Sequence, residues 1–385
     1  MTEDSAHFEL PPQIDYLDFV SADGQTDWDR LDRVSPGLAG DVPAWLEQMG
    51  DADPTVAGKA SEELWNRLQH QGSMNDPAPA TVPALVRLAA DPNVHDRPGL
   101  LYLLGRIGRS YPFQCHSRKE LMDAMVSDEE RYTAYGQLDS SLLRANIELI
   151  TRAAHVLTGL LSDPDPKVRV SAAYAVAVAT RDTALVTAAL RAQYEVENDP
   201  LVQAYLVLAV AQLAIADGDT IPALAWAENV IRDDRAAAIV RLGAAIALLC
   251  LTDDTPDDRL LAVLAETITP ETTRLFLESP WGDTFNHDGG LPQWVISLLD
   301  ADAAAQVDLA TRLFDSPHVT IRIAACYMCA NRCMRCCGHT LTPSLTEQLT
   351  ALLTERLHDD DPAVHEAAAD ALTRLREPWG LAGRM

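Results

Sequence analysis

Six residues near the C-terminus have side chains that bind metals or carry redox chemistry. Cys326, Cys329, Cys333, Cys336, Cys337 and His339 lie within the single run CYMCANRCMRCCGH. Two C-x-x-C pairs with a nearby histidine are the ligand types of a zinc site or an iron–sulfur cluster. Their spacing works against that. Positions i, i+3, i+7, i+10 and i+11 fall on one face of an α-helix. Ten residues of rigid helix spread side chains over about 16 Å at about 1.5 Å per residue, so the five thiols cannot share one ion. The run also sits toward a helix C-terminus, ahead of Gly338, where the dipole opposes thiolate formation. The cysteines are therefore expected to act as small hydrophobes, with Cys326 and Cys329 in the core. No metal and no cofactor are expected. A metal site on Cys333, Cys336 or Cys337 with His339, and an oxidation-sensitive thiol patch, remain open alternatives.

Other motifs with chemical content are few. The loop Asp283–Asp288, DTFNHD, holds acids and a histidine without the spacing of an EF-hand, and is expected to be a surface loop. No phosphate-binding G-x-x-x-x-G-K-[ST], no H-E-x-x-H and no G-x-S-x-G occurs. No catalytic residue is assigned.

The elements that hold these residues are announced by a repeat. Its best copy is Ser162–Thr180, SDPDPKVRVSAAYAVAVAT: a polar turn, two prolines, then a helix of small residues. Aligned on the valine or isoleucine that opens each such helix, copies begin at Val56, Val94, Val168, Val202, Val240, Ile321 and Val364. The intervals cluster near one period of 35–45 residues or near two, which predicts about nine units. First helices are expected at Thr81–Ala90, Leu142–Leu161, Thr183–Tyr194, Ile221–Ile231, Arg259–Ile268 and Thr346–His358. Asp-Pro separates the two helices of a unit, because proline biases its predecessor out of the α region and aspartate caps the helix that follows. One hairpin cannot bury its apolar face alone, so neighbours must stack.

The pattern Asp-Pro-x-Val-Arg-x-x-Ala-Ala, complete in Asp165–Ala173, resembles the HEAT-repeat family in its short bacterial form. The resemblance implies an all-α fold, a right-handed α-solenoid of about nine stacked helical hairpins, over residues 42–376. Residues 1–41 would be an acidic, partly ordered leader and 377–385 a tail. The stretches 111–139 and 269–300 break the period as insertions or degenerate units. In the family a repeat Asp and Arg form ladders along the inner helices. Asp165 with Arg169, Arg241 and Arg322 would fit such a ladder, and Gln203 and His365 would interrupt it. The pair His365–Glu366 looks like the di-iron motif of deoxyhypusine hydroxylase, also a HEAT-type protein, but occurs once here and supplies too few ligands. DNA glycosylases on HEAT-like folds use a basic concave surface, and the net charge of -27 argues against that footprint here.

Composition narrows the function further. The 385 residues carry 57 acids against 30 bases, a net charge of -27, which disfavours nucleic acid and anionic membranes. Hydrophobic residues make up 48% and aromatics only 6%, which suits close helix packing. No run reads as a transmembrane span or signal peptide, and five of the seven cysteines crowd together, which predicts a reduced, cytoplasmic protein. The expected function is non-enzymatic binding of a basic protein partner on an acidic concave surface, as an immunity, antitoxin-like or assembly factor, with a monomer when free. The alternative is an enzyme or metal-dependent module built on residues 326–339 or 269–300. The partner-binding candidates are the polar and aromatic residues of the second helices: His95, Tyr102, Arg169, Gln203, Tyr205, Arg241, Arg322 and His365.

Overall fold

The computed structural model describes residues 15–34, 36–37, 39–70, 73–109, 118–122, 139–281, 291–292, 295, 298–299, 302–330 and 342–376. Within them the chain is all-α. The β structure among the described residues is a two-residue antiparallel ladder, Gln69–His70 with Ser73–Met74, and one bridge, Val20 with Thr26.

The helices run α1 (Trp28–Val34), α2 (Val42–Gln48), α3 (Pro54–Leu68), α4 (Ala78–Ala90), α5 (Arg97–Ile107), α6 (Arg118–Met122), α7 (Asp139–Arg152), α8 (Ala154–Gly159) and α9 (Pro166–Val176). They continue as α10 (Thr183–Val196), α11 (Pro200–Asp217), α12 (Ile221–Arg232), α13 (Ala238–Leu251), α14 (Asp258–Thr267) and α15 (Pro270–Leu277). The last described are α16 (Ala303–Phe314), α17 (Val319–Ala330), α18 (Pro343–Arg356) and α19 (Pro362–Arg376).

Asp-Pro starts helices for the expected reason. Asp53, Asp165, Asp199 and Asp361 accept hydrogen bonds from the N–H groups of Thr55, Lys167, Leu201 and Ala363, and the proline after each fills the first helical position. Two expectations shift. Val94 precedes its helix, because α5 is capped by Asp96, which accepts from the Gly99 N–H. The long helix expected over Leu142–Leu161 breaks at Ala153 into α7, α8 and a 3-10 turn over Leu160–Ser162.

The second helices form a row: α5 packs on α9, α9 on α11 and α11 on α13, and further along α17 packs on α19. First helices flank them, α4 on α5, α10 on α11, α12 on α13 and α18 on α19. Close approach sets the small residues. A Cβ on Gly105 of α5 would lie 2.3 Å from the Tyr174 ring of α9, so only glycine fits there. At the N-terminal end, residues 15–34 lie on α4: the Tyr16 hydroxyl donates to Asp76, the Thr26 hydroxyl to the Ala80 carbonyl, and the Arg87 guanidinium to the Gly24 carbonyl.

Burial is uneven along the row. In α11 every residue from Ala204 to Leu213 is buried, and in α13 all but Arg241 from Ile239 to Leu251. A helix buried on all sides has cover on all sides. Part of that cover comes from the two stretches that break the repeat. α6 packs on α11 and α13, and α15 packs on α13. The same burial explains α11 as the one helix among the described residues that is long and apolar enough to cross a membrane. Its mean hydropathy is 1.5, and 67% of that window is buried inside the fold. Sequence reasoning found no such stretch, because Gln203, Gln212 and Asp217 interrupt it.

Candidate functional site

Three of the eight sequence candidates are spent on holding units together. Arg169 lies four residues after its cap Asp165. Its Nε and Nη2 donate to both Glu197 carboxylate oxygens at 2.8 and 2.9 Å, and Nη1 donates to the Asp163 and Pro164 carbonyls at 2.9 and 3.2 Å. Arg322 repeats the fork, with Nε and Nη2 on Asp359 at 3.2 Å each and Nη1 on the Ser316 carbonyl at 3.0 Å. Arg241 donates to both oxygens of Glu266, which is largely exposed. A fourth link was not foreseen: Arg97 Nη2 donates to Asp163 at 2.7 Å. Gln203 makes no ion pair, but its Nε2 keeps the backbone half of the fork by donating to the Glu197 carbonyl at 2.9 Å.

The ladder acid is not the one expected. Asp165 caps α9 and takes no arginine among the described residues; the pairing acids stand two residues before the cap. Asp163, Glu197 and Asp359 each accept the backbone N–H of their cap residue, Asp165, Asp199 and Asp361, at 3.0, 2.9 and 3.0 Å. Each carboxylate thus ties the arginine of one unit to the helix start of the next. Burial pushes the three carboxyls up, but the arginine and the cap N–H outweigh it and hold all three below the ordinary carboxylate range.

Two other candidates belong to an aromatic row that crosses the second helices. Trp65 stacks on Tyr102 at 5.2 Å, and Tyr102 lies 5.7 Å from Tyr174. Trp281 meets Tyr174 edge-on at 5.1 Å and Tyr205 at 5.1 Å, and Tyr205 lies 6.5 Å from Phe276. Tyr205 is fully buried, which corrects its expected place on an open face. Its hydroxyl donates to Ser279 Oγ and accepts the Trp281 N–H at 2.8 Å. Tyr102 is half-buried within the row. His95 and His365 stay exposed, with the His95 ring nitrogen 2.9 Å from the Ala52 carbonyl of the preceding unit.

Beside Trp281 lies a residue that sequence reasoning missed. The Arg109 guanidinium is buried, 3.7 Å from the Tyr174 ring centre and 5.4 Å from that of Trp281. It donates to the Gly105 and Tyr174 carbonyls, both at 2.7 Å, and to Gln212 Oε1 at 2.8 Å. All its described partners are neutral. Burial lowers its pKa to about 10. The available signal was Gln212, an amide in the long apolar run of α11, which calls for a buried donor opposite.

The cysteine reading can be followed in part. Cys326 and Cys329 are buried, and burial raises Cys326 to about 12 and Cys329 further. Cys333, Cys336, Cys337, His339 and the loop Asp283–Asp288 lie outside the described residues. Among the described residues no group of three or more His, Cys, Asp and Glu side chains is placed to hold a metal ion. A shallow groove of about 330 Å³ runs between α14 and the α16–α17 turn, lined by Glu266, Arg312, Asp315, Ser316 and His318. Its strongest charges point elsewhere: Glu266 pairs with Arg241, and Arg312 pairs with Asp258 and Asp308.

No family model matches the chain, and no curated protein does. Among solved structures, one described as an engineered protein is 17% identical over 92% of each chain, with a TM-score of 0.25. That likeness is too slight to carry a statement about this chain.

Proposed function

We propose that the chain is a HEAT-like solenoid of about nine units that binds a basic protein, and that it is not an enzyme. Charge accounting carries the reading. The row arginines Arg97, Arg169, Arg241 and Arg322 are neutralised by Asp163, Glu197, Glu266 and Asp359. The chain-wide surplus of acids, -27 in all, is therefore left to the rest of the surface. Such a surface draws cationic partners in quickly and repels nucleic acid and anionic lipid. An immunity or antitoxin-like role, masking a basic toxin such as a nuclease, is the form that fits this charge best, in a cytoplasmic protein that is monomeric when free.

The experiment is affinity capture from the source cell at low salt, followed by measurement of Kd against ionic strength. A basic partner whose affinity falls steeply with salt is expected. Recovery of acidic partners only, or a salt-independent Kd, overturns the reading.

A further inference from the structure

We propose that the solvent side of α10 and α12 is the docking face for a basic protein, with an apolar centre on Leu185, Val196 and Ile221 and acids at both helix ends. It rests on the basic-partner reading above and gives that reading a place on the molecule.

The second helices in this part of the array offer no such face. Val170–Val176 of α9, Ala204–Leu213 of α11 and Leu242–Leu251 of α13 are buried throughout. The first helices beside them are open. Among the described residues five large apolar side chains are exposed, and three are here: Leu185 at 51%, Val196 at 68% and Ile221 at 77%. Leu185, Ala188, Ala192 and Val196 follow one another at helical spacing and make one exposed stripe along α10; Ile221 and Ala225 do the same on α12. The two helices are joined side by side. Arg191 lies over the Trp226 ring, 5.0 Å from its centre, and donates to the Pro222 carbonyl at 3.0 Å, and Tyr194 meets Trp226 edge-on at 5.1 Å. With 14 residues in α10, about 21 Å, and about 10 Å between helices, the face spans about 400 Å², roughly half of the ~800 Å² that one partner buries in a stable interface.

Charge around the face says what completes it. Asp182, Asp217 and Asp219 stand at the N-terminal ends of the two helices, and Glu195, Asp233 and Asp234 at the C-terminal ends. None of the six makes an ion pair among the described residues. Burial, with Asp233 and Glu195 close by, holds the Tyr194 hydroxyl above its ordinary range, which places those acids beside the aromatic seam. Nearby arginines offset little of this: Arg181 pairs with Glu148 and Arg232 with Glu228, leaving Arg191 on its ring and Arg235. An apolar centre ringed by unpaired acids repels anionic lipid and a second copy of itself. It complements a protein surface that carries lysines and arginines around apolar side chains.

The test uses the full chain and two fluorescent peptides of equal positive charge, an amphipathic Leu/Lys helix as long as α10 and an oligolysine. Binding is read by anisotropy in the native protein and in the double variant Val196→Gln, Ile221→Gln. Carbodiimide cross-links from peptide lysines to the chain's carboxylates are located by mass spectrometry. The Leu/Lys helix is expected to bind more tightly than oligolysine, to lose about tenfold in Kd in the double variant, and to cross-link to Glu195, Asp219 and Asp233. Equal binding to the double variant, or cross-links that fall elsewhere, overturns the docking face and leaves the basic-partner reading standing. No binding of either peptide at low salt overturns both. A native chain that sediments as a dimer, and as a monomer in the double variant, makes a second copy the occupant and overturns the proposal. Should the variant fail to fold, the cross-link map of the unaltered chain decides.

Discussion

α11 and α19 begin alike and end up in opposite surroundings. Both open with Asp-Pro-x-Val, both are capped by the aspartate, and both receive an acid two residues before the cap. Counted from the cap, Tyr205, Val207 and Leu208 of α11 correspond to Ala367, Ala369 and Asp370 of α19. In α11 those residues are buried on every side of the helix. In α19 only Val364, Ala367, Ala368, Ala371, Leu372 and Leu375 are buried, one face, while His365, Glu366, Ala369, Thr373 and Arg374 face solvent. The shared opening specifies the hairpin. The later positions record whether something lies across the row.

The widest test of this contrast exchanges the two patterns. Leu208→Asp puts an unpaired carboxylate into a fully buried position and should cost more than about 4 kcal/mol, enough to unfold the chain in urea titration. Asp370→Leu on α19 should shift the same titration by less than about 1 kcal/mol, because it removes only an exposed i,i+4 pair with Arg374. Equal costs would erase the distinction between a covered and an open helix.

The links between units sharpen it next. Glu197 is only 3% exposed, so Glu197→Ala strands Arg169 and should destabilise by about 3 kcal/mol. Adding Arg169→Met should recover much of that loss in a double-mutant cycle. Glu266→Ala removes an acid that is 63% exposed and should cost under about 1 kcal/mol.

A smaller effect is expected in acid. Asp163, Glu197 and Asp359 titrate below their ordinary values in the fold. Their contribution is therefore complete above the unfolded-state pKa, about 4, and is lost as pH falls below it. The melting temperature should drop between pH 5 and pH 3, and Glu197→Gln should flatten that slope. A slope unchanged by Glu197→Gln would remove Glu197 from the acid-sensitive set.

The smallest perturbation is chemical. Cys250 and Cys326, each raised to about 12 by burial, should resist a thiol reagent at pH 8 until denaturant is added, as read site by site by mass spectrometry.

The repeat was legible because its physics is local. Asp-Pro caps α3, α9, α11 and α19 through contacts within a few residues, and the valines Val168, Val202 and Val364 that follow are all buried. The ladder was half legible. The arginines were visible, but attention fell on the cap Asp165 rather than on Asp163. The signal lay in the recurring acid-x-Asp-Pro of Asp163–Pro166, Glu197–Pro200 and Asp359–Pro362. Trp281 was not legible at all. Its neighbours Tyr174 and Tyr205 are distant in sequence, and nothing within 269–300 repeats. Arg109 was hidden for the same reason: its partners Tyr174 and Gln212 come from two other units.

The arginine forks also bear on how the array would flex. A fork that grips its own turn and the next unit's acid resists both hinge and twist at that joint. Arg97 and Arg169 stiffen successive joints in this way. At the following joint Gln203 grips only its own turn. Elastic compliance along the row is therefore not uniform. The step from α11 to α13 is held instead by the packing of the two helices on each other and by α6, which lies on both, so its alignment rests on apolar contact rather than on a charged clamp.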